Sequence, residues 1–349
     1  MDCHWQARIE RKSMEATQGA LSALFKIDLS GKKGRKTMAA KKKIRIYYRA
    51  PSHVPLWKVM EECGFLEKHG LEMDFGSLEG QRKRAAEGLK SGELDVVSGN
   101  HHNLYARKAL NGDPYVHIAQ SNNSWRENCL VMGNGINSLK DLKGKRVAMD
   151  DYDGHTGLNV WLYLRQHGLE EGRDIELVTG AKRGVERAKE VMDGKYDATF
   201  IRAVDQLRAR KLGARIVEVP TMAMIEGVTL TTTTTYVQNH EDEARSLIMA
   251  MVDATHFFKT KKADTLAIIK KHCTELLKMQ NDEEWNCFYD AQAASLEVKP
   301  YPTLDAIQNV FALALKRDPE IKNFNPLALW DLHYLREIDD SGYINRLYG

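Results

Sequence analysis

The sequence predicts an α/β protein, and two observations carry the prediction. Between residues 44 and 237, short runs rich in β-branched residues alternate with segments whose apolar residues follow the helical period. Beyond residue 237 the pattern is almost entirely helical. Alternation of this kind is typical of parallel sheets covered by helices. The later helices then form either a separate domain or a layer that returns to cover an earlier sheet.

Ten runs have the composition and length of β-strands. The Thr-rich run 229–236 is β-branched and uncharged, so we expect it to cross between two parts of the protein with 129–132 as its antiparallel partner. A simple edge strand explains the same run nearly as well. In order, the predicted strands are 44–48, 72–76, 94–99, 115–120, 129–132, 146–150, 175–179, 198–201, 215–219 and 228–237.

Helical segments are expected between these strands and throughout the C-terminal third. Most of the earlier ones end at a glycine, the residue preferred just after a helix. The predicted helices lie near 55–68, 81–91, 102–111, 156–168, 184–193 and 203–212, then at 241–278, 282–296, 303–317 and 327–347.

Charge separates the first 43 residues from the rest of the chain. Residues 1–43 carry 11 Lys/Arg and 4 Asp/Glu, and the remaining residues carry 40 and 44, so the two parts have net charges of +7 and −4. A nucleic-acid partner is not predicted, because phosphate binding needs a basic face on the folded part. No stretch approaches the roughly 18 consecutive apolar residues of a membrane-spanning helix. The five widely spaced cysteines indicate neither a zinc module nor a disulfide scaffold.

The N-terminal segment lacks the features of a secretory signal, because its apolar run 19–25 is short and flanked by charge on both sides. We interpret residues 1–43 as a leader or disordered extension. Met38 precedes two alanines, three lysines and the first predicted strand, so it resembles a natural start. On that interpretation the protein is cytoplasmic. A true targeting segment, and with it a periplasmic location, is the alternative.

Four sequence motifs are more specific than the periodicity. They read GELDVVSG at 92–99, ALNGDP at 109–114, SLKDLKGKRVA at 138–148 and GKYDATF at 194–200, and a Gly/Thr turn and a helix follow the third. This succession resembles the type 2 periplasmic binding protein superfamily. Within it, the resemblance is to the group of nitrate-, sulfonate- and taurine-binding proteins and the thiamine-pyrimidine synthases. The matching pieces cover about residues 44–235.

The resemblance implies a two-lobe α/β fold with a ligand cleft between the lobes and the C-terminal helices packed back on lobe 1. Carried over to this sequence, lobe 1 is expected to comprise 44–132 and 233–349, and lobe 2 to comprise 133–232. Closure of the lobes on a ligand is then a hinge motion.

The resemblance also implies that cleft residues come from loops at strand ends. Those loops offer His, Arg and a helix N-terminus, which suit a small anionic or aromatic-acid ligand. One of the two adjacent histidines at 101 and 102 is expected to face the cleft and the other to cap or pack. The predicted ligand-binding residues are Ser52, His53, Trp57, Asn100, His101, His102, Tyr105, Trp125, Arg126, Asp153, Gly154, His155, Thr156 and Arg202.

Several of these residues also have a purely structural explanation. Thr156 fits an ordinary helix N-cap, Arg202 a surface residue, and Trp125 simple packing. The four candidate histidines lack a metal-ligand spacing such as H-E-x-x-H, so neither a metal nor another cofactor is predicted. No G-x-S-x-G motif is present, and no catalytic residue is predicted.

The predicted function is therefore a solute-binding protein that closes on a ligand and does no chemistry, as in ABC import systems. Its partners would be the ligand and the importer's membrane subunits, and it would be a monomer. One alternative is a cytoplasmic enzyme on the same scaffold, either a lyase such as an aromatic-acid decarboxylase or a thiamine-pyrimidine-synthase-like enzyme. The Cys-rich stretch of those synthases is missing from this sequence. A cytoplasmic ligand sensor is the third possibility.

Overall fold

A computed structural model describes residues 41–99 and 101–349, so Asn100 and most of the predicted leader lie outside the described residues. Its strands agree closely with the predicted ones over most of the chain. They are β1 Lys42–Tyr48, β2 Leu71–Ser77, β3 Val96–Ser98, β4 Tyr115–Ser124, β5 Cys129–Met132, β6 Lys145–Met149, β7 Ile175–Thr179, β8 Ala198–Ile201, β9 Ile216–Glu218 and β10 Ala223–Thr233.

The helices also follow the predicted order, with the longer predicted segments divided into shorter ones. They are α1 Val54–Glu62, α2 Phe65–Lys68, α3 Arg82–Ser91, α4 Asn103–Asn111, α5 His155–Gln166, α6 Gly184–Met192, α7 Ala203–Lys211, α8 Thr234–Asn239, α9 Glu241–Thr260, α10 Lys262–Leu277, α11 Asp282–Ser295, α12 Leu304–Arg317, α13 His333–Asp340 and α14 Tyr343–Tyr348. Short 3₁₀ turns lie at Pro51–His53, Leu139–Leu142, Pro319–Asn323 and Pro326–Leu329.

In the described part of the chain the strands form two five-stranded sheets, one in each lobe. The first has the order β2-β1-β3-β10-β4 and the second the order β7-β6-β8-β5-β9. The parallel strands β1 and β3 end at the same edge of the first sheet, where the backbone N–H of Arg49 donates to Ser98 O at 3.1 Å. The loops that follow these two strands therefore lie side by side, as cleft loops at a sheet edge should.

The predicted pairing between 129–132 and the Thr-rich run is wrong. β5 pairs with β8 and β9 in the second sheet, whereas β10 pairs with β3 and β4 in the first. β10 also ends at Thr233 rather than at 237, because the Thr233 side chain accepts from the Tyr236 N–H and so caps α8. The chain crosses between the sheets at residues 125–128 and 219–222. We propose these crossings as the lobe boundaries.

The C-terminal helices pack on the first lobe, as the resemblance implies. Ile248, Met251 and Phe258 of α9 share a buried core with Ile44 and Ile46 of β1. Two of the helices also reach the second lobe, since Asn309 of α12 accepts from Gln166 of α5 at 2.9 Å and α11 forms ion pairs with α7. No helix among the described residues combines the length and apolarity needed to cross a bilayer.

A buried carboxylate fastens α14 to this core, and its removal should be costly. The Asp253 side chain is 2% exposed and accepts from Lys68 Nζ at 2.7 Å, His69 Nε2 at 2.8 Å and Tyr343 Oη at 2.7 Å. We expect Asp253→Ala to lower the free energy of unfolding by about 2–4 kcal/mol, because three donors lose their acceptor. Denaturant unfolding measures this loss of stability. Glu337→Ala, which removes an exposed partner of Arg245, should cost less than about 1 kcal/mol.

Candidate functional site

A cavity of about 380 Å³ lies between the two lobes, at the ends of β1, β3 and β6. We call it the polar cleft. Its walls come from loops of both lobes and from β10. The lining residues are Arg49, Ala50, Ser52, His53, Glu79, Gly80, His101, His102, Asn103, Arg126, Asp150, Asp151, Gly154, His155, Thr156, Lys182, Arg202, Glu226 and Gly227.

The structure brings most of the predicted site residues into this cleft. They are Ser52, His53, His101, His102, Arg126, Gly154, His155, Thr156 and Arg202. Both adjacent histidines line it, against the expectation that only one would. The reason is that α4 begins at Asn103, so neither histidine is held to helical spacing.

Four predicted residues that the structure describes do not line the polar cleft. Trp57 is buried and donates through Nε1 to Ser98 Oγ at 2.9 Å, so it supports the cleft from behind. Tyr105 is buried against Phe311, with ring centroids 5.4 Å apart. Trp125 is buried against two aromatic rings of the second lobe. Asp153 is exposed on the turn before α5.

His53 presents a neutral imidazole to the cleft. Its Nδ1 lies 3.1 Å from Ser98 O, and because a carbonyl only accepts, Nδ1 carries the proton and Nε2 is left as an acceptor. Burial, reinforced by the nearby Arg126, lowers the pKa of His53 to about 3. At neutral pH this side chain can therefore accept a hydrogen bond from a ligand.

Gly99 makes room for that imidazole, and the sequence prediction missed it. Its φ is +94°, and a Cβ at this position would lie 2.8 Å from His53 Cε1. A larger residue would be strained in the backbone and would push the ring out of place. The sequence shows that the strand motif ends in a glycine, but it does not show that His53 packs against this glycine.

Three histidines meet across the lobes, and we call them the histidine cluster: His101 and His102 of the first lobe and His155 of the second. His155 Nε2 donates to Ile225 O at 3.1 Å, which leaves its Nδ1 as the acceptor for His102 Nδ1 at 3.3 Å. The rings of His102 and His155 are nearly parallel, at 10° and 5.5 Å between centroids. The cluster therefore joins the lobes through contacts between imidazole rings.

A hydrogen-bond chain fixes His101 to β10 of the first sheet. Gln120 Nε2 donates to Glu226 O at 2.7 Å, so Gln120 Oε1 is free to accept from Thr229 Oγ1 at 2.5 Å. Since the Thr229 proton is used there, His101 Nε2 must donate to Thr229 Oγ1, at 2.9 Å. Burial holds the pKa of His101 well below its usual value.

Two arginines of the cleft are paired with buried carboxylates. Arg202 Nε donates to Glu127 Oε1 at 3.0 Å, while its side chain remains 41% exposed. Although burial opposes it, the pairing with Glu127 raises the pKa of Arg202, which stays charged. Arg126 Nε lies 3.7 Å from Glu226 Oε2.

The charges that line the cleft balance within the described residues. Four basic side chains face four acidic ones, namely Arg49, Arg126, Lys182 and Arg202 against Glu79, Asp150, Asp151 and Glu226. Asp150 Oδ1 is buried with no hydrogen-bond partner in the described part of the chain, and burial followed by the charge of Glu127 raises the pKa of this carboxyl. A ligand with a hydrogen-bond donor would satisfy it. None of these four acidic residues was predicted.

No group of three or more His, Cys, Asp and Glu residues at 41–99 and 101–349 is arranged to hold a metal ion. The cysteines in the same ranges are free thiols, and none of them lines the polar cleft.

Comparison with known proteins gives the chain a family. The family model described as NMT1/THI5 like matches residues 50–263, more than half of the chain. No curated protein matches the chain in sequence.

Several solved structures share the fold at low sequence identity. One is described as a putative sulfonate ABC transporter, periplasmic sulfonate-binding protein SsuA from Methylobacillus flagellatus KT, with a TM-score of 0.64, 15% identity, and coverage of 87% of this chain and 96% of its own. The periplasmic nitrate-binding protein NrtA from Synechocystis PCC 6803 has a TM-score of 0.58, 12% identity, and coverage of 86% and 89%. The desulfurization enzyme DSZB has a TM-score of 0.55, 16% identity, and coverage of 86% and 100%.

The predicted superfamily and the predicted two-lobe fold are thereby confirmed. Structural likeness at this level of identity shows the fold alone, so the family assignment depends on the sequence match over residues 50–263. By that match, the chain belongs to the NMT1/THI5-like family.

Proposed function

We propose that the protein is a solute-binding component that holds a small ligand in the polar cleft and releases it unchanged. The observation that carries this proposal is the composition of the cleft, whose polar side chains come from both lobes. His53 and Arg126 precede the second lobe in the chain, and His155 and Arg202 belong to it. A ligand that contacts both sets favours the closed arrangement of the lobes. Solved neighbours described as sulfonate- and nitrate-binding proteins support this role.

The ligand that fits this cleft is an anion that also carries a hydrogen-bond donor. Arg49, Arg126 and Arg202 all lie close enough to His53 to lower its pKa, so their guanidinium groups surround one region of the cleft. Such groups bind carboxylates and sulfonates well. The unprotonated nitrogen of His53 and the buried oxygen of Asp150 are acceptors for the donor.

We further propose delivery of the ligand to the membrane subunits of an ABC importer, with the protein acting as a monomer. That role requires a periplasmic location, which the neighbours described as periplasmic support over the cytoplasmic location predicted from residues 1–37. Fractionation of cells that express the full chain, beside cells that express a chain starting at Met38, tests it. Full-length protein found only in the cytoplasm would contradict the importer role.

Removal of the Arg202 charge is expected to weaken binding about 10- to 100-fold, because charge-assisted hydrogen bonds to the anion are lost. The variant is Arg202→Gln with Glu127→Gln, so that no buried carboxylate is left unpaired. Titration calorimetry with nitrate, short alkanesulfonates and benzoate measures the dissociation constants. Arg245→Gln with Glu337→Gln, an ion pair outside the cleft, is the matched control and should bind normally. Equal affinity in both double variants would contradict the proposed anion site.

An enzyme of the lyase class is the second candidate, and the unprotonated Nε2 of His53 favours it, since an acceptor in the cleft can orient an O–H or N–H group of a substrate. The neighbour described as a desulfurization enzyme shows that the fold is compatible with catalysis. Mass spectrometry of each bound compound after incubation separates the two candidates. A product that disappears in His53→Gln would replace the solute-binding proposal with an enzymatic one.

A further inference from the structure

A second cavity of about 610 Å³ opens beside the polar cleft, and its walls are mainly apolar. We call it the apolar chamber. It lies between the C-terminal helices α10 and α11 on one side and the start of α7 on the other. Its apolar walls include Pro51, Val204, Leu277, Met279, Phe288 and Ala291.

The apolar chamber adjoins the polar cleft, and Gln292 lies where they meet, accepting from Arg126 Nη1 and donating through Nε2 to Ser52 O at 3.0 Å. Ala50, Ser52, Arg126 and Arg202 line both cavities, so the two arginines stand at the boundary between them. Arg202 gives its Nε–H to Glu127, and no other side chain in the described part of the chain accepts a hydrogen bond from it. The rest of this guanidinium is accessible from both cavities.

We propose that the ligand is an amphipathic anion, whose charged group binds at Arg126 and Arg202 and whose apolar substituent occupies the apolar chamber. This inference rests on the proposed function and adds the chemical class of the ligand. The polar cleft alone accommodates the charged group with its donor. The chamber adds space for a phenyl ring or an alkyl chain of several carbons, and burial of such a group against Phe288 and Met279 strengthens binding.

A homologous series tests the inference. Dissociation constants are measured for n-alkanesulfonates from methanesulfonate to octanesulfonate, and for n-alkanols of the same lengths. We expect affinity for the sulfonates to rise about three- to fourfold with each methylene until the chamber is filled. The alkanols should bind at least tenfold more weakly, because they lack the charge that Arg202 recognises.

Two variants connect the length dependence to the chamber. Ala291→Trp fills it, and Phe288→Ala removes part of its wall. Both should weaken octanesulfonate binding at least tenfold and change methanesulfonate binding less than twofold. Leu110→Trp, an exposed position on α4 that lines neither cavity, is the control for the new indole. Melting temperatures confirm that each variant is folded.

The outcomes separate this inference from the proposed function. Sulfonates that bind with one affinity whatever their length would overturn the apolar chamber as a subsite and leave the proposed function standing. Alkanols that bind as tightly as the sulfonates would overturn the anchoring of the anion at Arg202. If none of the sulfonates or carboxylates binds, the proposed function and this inference fall together.

Discussion

Acidification from pH 7 to pH 4 is expected to lower the free energy of unfolding by about 6 kcal/mol and the melting temperature by about 10 °C. The cause is a set of histidines buried in neutral form. Burial lowers the pKa of His53 and of His117 to about 3, and it lowers the pKa values of His101 and His155 as well. Near pH 4 each of the first two contributes about 3 kcal/mol to the loss.

The sign follows from the proton balance. In the unfolded chain a histidine takes up its proton near pH 6.5, whereas in the folded protein His53 and His117 stay neutral until about pH 3. Between these values the unfolded state binds more protons, so stability falls as the pH falls. The contribution is complete above pH 6.5 and is lost progressively towards pH 3.

Thermal unfolding between pH 4 and pH 8 measures the effect, and His117→Gln isolates one part of it. His117 lies away from the polar cleft, with Nδ1 2.9 Å from Thr231 Oγ1. The variant should be less stable at pH 7 but should lose about 3 kcal/mol less between pH 7 and pH 4. His272→Gln, at a surface histidine paired with Glu62, is the control. A melting temperature that is flat from pH 8 to pH 4 would contradict the neutral burial of these rings.

Strand composition predicted most of the strands, but it did not predict where β4 ends. The prediction stopped at residue 120, and the run of Ser and Asn that follows is typical of loops. In the folded protein this run remains strand, because Asn123 Nδ2 donates to Tyr301 O at 2.7 Å and Gln120 Nε2 donates to Glu226 O. These partners lie more than 100 residues away in the sequence, where a local pattern cannot show them.

The sequence predicted which loops contribute to the site, but not the directions in which their side chains point. The loops after β1, β3 and β6 and the start of α7 meet at the polar cleft, as the family resemblance implied. Whether Trp57 faces the cleft or the core depends on its bond to Ser98, which only the folded structure reveals. Asp150 and Glu226 were missed because their neighbours in the cleft come from distant segments of the chain.

A buried ion pair between the lobes gives the other large expected effect. Arg208 of α7 donates to Glu284 of α11 through Nε at 3.0 Å and Nη2 at 2.7 Å. The Glu284 side chain is only 3% exposed, and the pairing with Arg208 lowers the pKa of its carboxyl. The pair therefore joins the second lobe to the C-terminal helices that cover the first.

Arg208→Met is expected to lower the free energy of unfolding by about 3–5 kcal/mol, because it leaves the Glu284 carboxylate buried without its cation. Addition of Glu284→Gln should restore most of that loss, since the amide still accepts from the Gln280 N–H that now bonds to Glu284 Oε2 at 2.7 Å. Denaturant unfolding gives both values, and small-angle scattering reports whether the single variant separates the lobes.

Lys211→Met provides the comparison on the same helix. Lys211 pairs with Glu283, the neighbour of Glu284, but the side chains of Lys211 and Glu283 are both more than half exposed, so the loss of this pair should cost less than about 1 kcal/mol. The two variants change the same pair of helices and differ chiefly in the burial of the carboxylate left behind. Equal losses of stability would mean that burial of Glu284 does not set the strength of this contact, and that the lobes are held together by apolar packing instead.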